Sequence, residues 1–429
     1  MNDSHGRDVV GLDARAAALA IVESALKSRS GLDEALSRPP FTRLEPRERA
    51  HARALAMMTL RHLGEIDHAL QAKLSKPPPE AVMAILRIGA CQLFYMEAPD
   101  FAAVDTSVEL ASAYKGTRPF KGLVNAVLRG LARAGKPEQD PSRLAPDWLL
   151  SRWKAAFGVD AALKIAAVIA VEPSTDLTFK DPAAAEGLAE ALEARAIPGG
   201  SWRTDKGGTL TEWPGFEDGV WWVQDASAAI PARLLHVQPG ETAADLCAAP
   251  GGKTLQLAAA GAETVAVDRS APRLVRVTEN LARMGLTAET HAADAALWED
   301  KRKFDAVLLD APCTATGTFR RHPDVLWGSR PADIVKLAQS QARLLDTASM
   351  RVKDGGRLVY CVCSLEPEEG EGQIDGFLRR HPDFRLDPIA PGEGGAPDGS
   401  ITANGAMRIL PFQIEGGTDG FFAVRFARA

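Results

Sequence analysis

The stretch Ala243-Ala244-Asp245-Leu246-Cys247-Ala248-Ala249-Pro250-Gly251-Gly252-Lys253-Thr254 decides the fold of this 429-residue chain. Its small apolar opening reads as a short buried strand, Pro250-Gly251-Gly252 as a tight turn, and Leu255, Leu257 and Ala258 as the start of an amphipathic helix. Two glycines after a strand let backbone approach a ligand closely, and the helix start beside them offers N–H groups without intrahelical partners. Ligands in open α/β sheets lie at such places, outside the carboxyl ends of the strands. A packed strand-to-helix turn with no ligand is the plainer alternative.

The nature of the ligand follows from what surrounds the turn. Lys253-Thr254 after two glycines suggests a phosphate loop, but that loop needs glycine at position 247, where this chain has Cys. The next strand, Glu263–Asp268, ends in a carboxylate able to accept from both hydroxyls of a ribose. A third strand region ends at Ala292-Ala293-Asp294 and a fourth, Phe304–Asp310, in another acid. Strand-terminal acids around one glycine turn suit an adenosine ligand without a long phosphate tail. S-adenosylmethionine fits better than a dinucleotide.

Upstream, residues 1–135 read as all-helical. Asp13 is placed to cap a helix over Ala14–Arg29, Pro46 opens one running toward Leu74, and Val82, Ile85, Leu86, Gly89 and Leu93 repeat at helical spacing after Pro77-Pro78-Pro79. Two more helices are expected over Asp105–Tyr114 and Lys121–Ala134, and these apolar stripes are packing. Arg87, Arg118, Lys121 and Arg129 form either an ordinary solvated face or a set of phosphate contacts. Gly135–Pro146 reads as a linker and residues 147–170 as connecting helices. Pro173–Trp213 reads as a small α+β piece with a strand over Asp176–Lys180 and a helix over Ala183–Arg195. From Gly219 onward strands and helices alternate, which implies a largely parallel, doubly wound sheet. Asp419-Gly420 signals a turn into a final antiparallel strand, Phe421–Phe426, and the Gly/Pro-rich run Pro388–Asn404 reads as a mobile surface loop. The expected organisation is therefore multidomain: an all-α domain over 1–138, linker helices and a small α+β subdomain over 139–215, and an α/β Rossmann-like domain over 216–429.

Composition excludes several classes. No apolar run reaches membrane-span length, and the terminus Met1-Asn2-Asp3-Ser4-His5 lacks a secretory segment. The five cysteines, Cys91, Cys247, Cys313, Cys361 and Cys363, have neither metal-ligand spacing nor a histidine cluster, so no metal site is expected. A cytoplasmic, monomeric protein with reduced thiols is the expectation. The net charge of −6 conceals an asymmetry: residues 1–135 hold 18 basic and 15 acidic side chains, so the excess of acid lies downstream.

A second constellation carries the chemistry. Asp310-Ala311-Pro312-Cys313-Thr314-Ala315-Thr316-Gly317 follows one strand, and Arg357–Val362 delivers Cys363-Ser364. Both thiols fall at the carboxyl edge beside the glycine turn. Free cysteines are usually inert core residues, as Cys91, Cys247 and Cys361 are expected to be. A pair of thiols at an adenosine pocket suits methylation of pyrimidine carbon 5. That carbon is not nucleophilic until a thiolate has added to carbon 6, which splits one hard step into easier ones. Asp310 is placed to protonate or hydrogen-bond cytosine N3, a task that needs a carboxyl with a raised pKa.

Asp245–Lys253, Asp310–Cys313 with Thr316-Gly317 and Arg320-Arg321-His322-Pro323-Asp324, and Tyr360–Ser364 with Pro367-Glu368-Glu369 resemble the NOL1/NOP2/Sun family of S-adenosylmethionine-dependent RNA cytosine-5 methyltransferases. The helical N-terminus resembles the NusB RNA-binding fold, a combination similar to the family's bacterial small-subunit (16S) ribosomal RNA enzymes. The resemblance covers nearly the whole chain. It implies that Cys247, Ala248, Ala249, Pro250, Gly251, Gly252, Lys253, Asp268, Asp294 and Asp310 line the cofactor pocket. It also implies that Cys363 is the nucleophile, that Cys313 assists product release, and that ribosomal RNA is the partner. One departure is local: where the family has a small residue and Thr before the nucleophile, this chain has Cys361-Val362, a spare thiol two positions away. Gln224-Asp225-Ala226-Ser227 also resembles a family motif, with Asp225 equally suited to be a helix cap. Trp221-Trp222 read as packing, with base stacking as the alternative. Arg320-Arg321-His322 read equally as RNA phosphate contacts. Two other functions stay open: an RNA-binding assembly or antitermination factor on an inactive fold, and a DNA cytosine-5 methyltransferase with Cys313 as nucleophile.

Overall fold

A computed structural model describes residues 12–28 and 31–429. Met1-Asn2-Asp3-Ser4-His5 and Arg29, on which two expectations rest, lie outside them. By compactness the chain forms two units: one runs to Val171 and takes in Phe319–Ser329, the other comprises Glu172–Thr318 and Arg330–Ala429. The connecting helices therefore group with the first unit.

The first unit is helical, with α1 (Leu12–Lys27), α2 (Gly31–Leu36), α3 (Pro46–Arg61), α4 (Leu63–Gln71), α5 (Glu80–Tyr95), α6 (Asp100–Ala113), α7 (Lys121–Ala134), α8 (Asp147–Phe157) and α9 (Val159–Ile169). The apolar stripes of α1 to α7, including Leu55, Ile66, Ile85, Leu86 and Leu128, make one core. Asp13 lies inside the first turn of α1 rather than capping it. The helix expected from Pro46 to Leu74 breaks at His62. That side chain turns into the core, where Nδ1 meets Glu65 Oε2 at 2.9 Å and the ring stacks on Tyr95 with centroids 3.8 Å apart.

Segment Phe319–Ser329, with its short helix Asp324–Gly328, is held by this unit. The buried Arg61 guanidinium donates to the carbonyls of Ile169 (2.8 Å), Val171 (3.0 Å) and Arg320 (2.7 Å). Trp327 Nε1 donates to the Leu60 carbonyl at 3.0 Å, and Phe319 packs on Trp153. Arg320 is thus only 1% exposed and is not available to RNA phosphates. Arg87 is also committed: it donates to both oxygens of Asp67 at 2.8 and 2.9 Å and pairs with Glu80. Arg118, Lys121 and Arg129 are exposed.

The second unit opens with β1 (Thr175–Phe179), α10 (Ala183–Leu188), β2 (Ala194–Ile197), β3 (Ser201–Thr204) and β4 (Trp221–Val223), an antiparallel sheet in the order β2-β3-β1-β4. The helix expected to reach Arg195 stops at Leu188, and Glu193 (φ +51°) turns the chain into β2. Trp221 and Trp222 are buried and donate to the Pro214 carbonyl and Gln224 Oε1, each at 2.8 Å, so they pack rather than stack bases. Asp225 caps α11 (Ala226–Arg233) by accepting from Ser227 N–H at 3.0 Å, and also accepts from Thr418 Oγ1 at 2.9 Å.

The large sheet follows from β5 (Thr242–Leu246), α12 (Gly252–Ala259), β6 (Glu263–Asp268), α13 (Ala271–Met284), β7 (Glu289–Ala292) and β8 (Phe304–Asp310). After α14, the Asp324–Gly328 helix, come α15 (Pro331–Ser349), β9 (Val352–Val362), α16 (Ile374–Arg380), β10 (Phe384–Leu386), β11 (Met407–Ile409) and β12 (Phe421–Arg428). The order is β10-β12-β9-β8-β5-β6-β7, with β11 also on β12. Strands β5 to β9 pair in parallel, and β12 joins β9 antiparallel, as Asp419-Gly420 suggested. The order reverses between β5 and β8, the place where such sheets bind ligands. The run Pro388–Asn404, expected as a mobile surface loop, is packed. Ile389 and Ala396 enter the core with Ile230 and Met407, and Glu393 pairs with Arg425. Its glycines shape tight turns rather than a free chain.

Candidate active site

The switch point gathers the strand ends named by the sequence. Beyond β5 the backbone turns through Cys247 (φ +65°) and Gly251 (φ +106°), left-handed conformations that give the turn its shape and that glycine adopts without a Cβ clash. The turn is anchored on β6, where Ala248 N–H donates to the Val267 carbonyl (3.0 Å) and Ala249 N–H to Asp268 Oδ2 (3.1 Å). Ser270 N–H donates to Asp268 Oδ1 at 2.8 Å. A carboxylate offers about four acceptor positions, so a buried Asp268 with two amides keeps capacity for hydroxyls. Arg273 Nη2 holds the Ala249 carbonyl at 2.6 Å, a contact no sequence signal indicated.

Asp245, inside β5, is wholly buried. Burial, reinforced by Asp310 and Asp268 charge, raises its pKa to about 7 against a 2.6 Å hydrogen bond from Thr254. Its Oδ1 has no partner, an orphaned acceptor at the floor of the turn. Burial likewise pushes the Cys247 thiol up, so it stays protonated. Asp294 is exposed just past β7, with Oδ1 accepting from Ala296 N–H at 2.9 Å. Strand-end acids, an orphaned acceptor and the turn's backbone fit the polar groups of an adenosine.

Asp310 ends β8 with two partners. Lys253 Nζ lies 2.8 Å from Oδ2, and the Cys361 sulfur 3.6 Å from Oδ1, because the β8–β9 register sets Cys361 opposite Asp310. Burial disfavours the Lys253 ammonium, but Asp310 and its other anionic neighbours outweigh it and raise the group. The sequence expected here a carboxyl placed to act on cytosine N3; the structure adds an ion pair with Lys253. Burial, then Asp310 charge, lifts the Cys361 thiol well above its ordinary range, so it remains a thiol.

Cys363 follows the last residue of β9, and its sulfur turns away from that pair to lie 3.5 Å from the Cys313 sulfur. The hydrogen bond with Cys363 and then burial raise the Cys313 thiol well above the usual range, so Cys313 keeps its proton. The two loops are also tied through backbone: Gly317 N–H donates to the Cys363 carbonyl (3.0 Å) and Gly420 N–H to the Gly317 carbonyl (2.8 Å). A Cβ on Gly317 would stand 2.0 Å from the Gly420 carbonyl oxygen, so that approach requires glycine. Among the described residues no cluster of three or more metal-ligating side chains occurs, and no helix is long and apolar enough to cross a membrane.

Comparison with known proteins bears on the family and the fold. A family model described as 16S rRNA methyltransferase RsmB/F matches residues 232–427, and one for the NusB family matches residues 12–133. The ribosomal RNA small subunit methyltransferase B of Cronobacter sakazakii is 35% identical over 97% of this chain and 99% of its own length. That of Salmonella paratyphi A is 36% identical over 96% and 98%. The crystal structure of PH0851 superposes with a TM-score of 0.77 over 98% of this chain and 99% of its own, at 24% identity. A methyltransferase homolog from Pyrococcus horikoshii gives a TM-score of 0.57 at 27% identity over 66% of this chain and 95% of its own.

Proposed function

This chain belongs to the 16S rRNA methyltransferase RsmB/F family, S-adenosylmethionine-dependent enzymes acting on ribosomal RNA, and from that premise we propose that it methylates carbon 5 of a cytosine through a covalent cysteine adduct. The observation that carries this reading is the 3.5 Å approach of the Cys313 and Cys363 sulfurs at the carboxyl edge of the sheet. Methyl transfer to oxygen, nitrogen or an already nucleophilic carbon needs no thiol; carbon 5 of cytosine does.

The bound cofactor supplies a methyl group activated on a sulfonium. Its adenosine would be held by the Cys247–Gly252 turn, by the remaining acceptor positions of Asp268, and by Asp294. The Cys363 sulfur adds to carbon 6 as a thiolate, and the ring electrons move toward carbon 5 and N3. Asp310 faces N3, and a proton passed from Lys253 Nζ through its carboxyl balances the charge entering the ring. Cys361 donates to Asp310 and orients it. After methylation carbon 5 gives up its proton to a base, the carbon 5–carbon 6 double bond re-forms as the carbon–sulfur bond breaks, and N3 returns its proton through the Asp310 carboxyl to Lys253. Cys313, still protonated and 3.5 Å away, hands its proton to the departing Cys363 sulfur.

Bisulfite sequencing of small-subunit ribosomal RNA from cells with and without the protein tests the reading. One or more protected cytosines should vanish on deletion; an unchanged pattern would leave an inactive assembly factor or another target. A finer test concerns the cofactor. Asp268→Ala should weaken S-adenosylmethionine binding by roughly 1–3 kcal/mol, the cost of leaving buried polar groups unpaired. Calorimetric titration measures this, and undiminished affinity would take Asp268 out of the pocket.

A further inference from the structure

The spacing of the two thiols is held by their neighbours. Cys313 is followed by Thr314 and Cys363 by Ser364, and both followers turn inward onto one carboxylate. Glu369 is 0% exposed and accepts from Thr314 N–H at 2.9 Å, Thr314 Oγ1 and Ser364 Oγ at 2.5 Å each, and Gln341 Nε2 at 3.1 Å. The same Gln341 amide donates to the Pro312 carbonyl at 2.9 Å, so backbone on both sides of Cys313 is fixed by the Glu369–Gln341 pair. The Glu369 carbonyl in turn accepts from Tyr360 OH at 2.5 Å, which ties its turn to β9. A buried carboxylate with several converging donors is held in a single arrangement, because any departure leaves a charge unpaired away from water.

We propose that Glu369 is a positioning residue that sets the placement of the Cys313 sulfur against the Cys363 sulfur through Thr314 and Ser364, and so governs release of the methylated base. The inference rests on the two-thiol reading above. Attack by Cys363 does not call on Cys313. Release, in contrast, passes a proton between two sulfurs and depends on their separation. The negative charge of Glu369 also adds to the influences that keep Cys313 protonated.

Glu369→Gln keeps the size but places an N–H group among donors, and Ser364→Ala removes one arm and leaves the carboxylate in place. With full-length enzyme and ribosomal RNA, single-turnover methyl transfer should persist in both variants. Steady-state turnover of Glu369→Gln should fall about tenfold or more, the order expected for a disrupted buried, charged hydrogen-bond network, with a denaturant-resistant protein–RNA adduct building up. Ser364→Ala should show the same pattern more weakly. A merely structural role would lower single-turnover and steady-state rates together, without adduct. A second measurement does not depend on activity. Diamide, which takes up two electrons and two protons, should join Cys313 to Cys363 quickly in the parent enzyme, and peptide mapping should find this bond formed several-fold more slowly in Glu369→Gln. Equal oxidation rates together with unchanged turnover would overturn the positioning role. If the parent enzyme transfers no methyl group to cytosine while the oxidation rates still differ, the two-thiol reaction fails and the positioning stands.

Discussion

Cys363→Ala is expected to abolish methylation and to form no covalent complex with ribosomal RNA, whereas Cys313→Ala should attack normally and then stall. The stalled species is a protein–RNA adduct that survives denaturant, and gel analysis with labelled RNA reads it directly. The contrast follows from the geometry: both sulfurs lie at the same edge, but Cys313 holds its proton while serving as the hydrogen-bond neighbour of Cys363. Because the Cys313 thiol is raised, release in the parent enzyme should not slow as pH rises through the ordinary thiol range near about 8.5. The opposite pattern of adducts would make Cys313 the attacking sulfur, as in the DNA-enzyme alternative. Cys361→Ala separates the third thiol. Its sulfur is buried on Asp310 and held protonated, so the variant should still form the adduct. Loss of the adduct in Cys361→Ala, with its survival in Cys363→Ala, would reassign the nucleophile.

A shortened chain beginning at Pro141 should bind S-adenosylmethionine with near-normal affinity yet lose most methyl transfer. The residues proposed to hold the cofactor all lie beyond residue 240, on β5, β6, β7 and their turns, so titration should show little change. The loss comes from Phe319–Ser329, which continues directly from the Cys313–Thr318 loop but belongs to the helical unit. Truncation removes Leu60 and Arg61, whose carbonyl and guanidinium hold Trp327 and Arg320. Phe319 and Leu326 are fully buried in the intact chain, and exposing a side chain of this size costs roughly 1.5–3 kcal/mol. Hydrogen exchange over residues 312–329 should therefore rise sharply in the shortened chain. RNA affinity should fall as well, with a flatter salt dependence, because Arg118, Lys121 and Arg129 go with the helices. Full methyl transfer by the shortened chain would show that the segment keeps its place without its seat. Unchanged RNA affinity would make the helical unit a stabilising module.

Much of this was legible in the residues alone, because the signals were local. Strand-to-helix periodicity around Ala243–Thr254, acids ending consecutive strands, and Asp419-Gly420 before an apolar strand each depend on a few neighbours, and the sheet follows them. So do the helical stripes of the first unit. What the tertiary structure decided involves partners distant in sequence. Asp310 was expected to act on cytosine N3, and its ion pair with Lys253, which arrives from the turn after β5, came only with the fold. Cys361 and Cys363 stand two positions apart, a spacing that puts both on one face of a continuing strand. In the structure the strand ends at Val362, so one sulfur goes to Asp310 and the other to Cys313. Glu369 lay in a quoted motif without a role, since its task is to join two loops that no linear spacing relates. Arg87 and Arg320 read as surface cations until carboxylates and packing enclosed them. Periodicity and turn chemistry act over a few residues and are written in order along the chain. Charge pairing and the distance between two sulfurs are set by which strands and helices become neighbours, and only the folded chain brings those together.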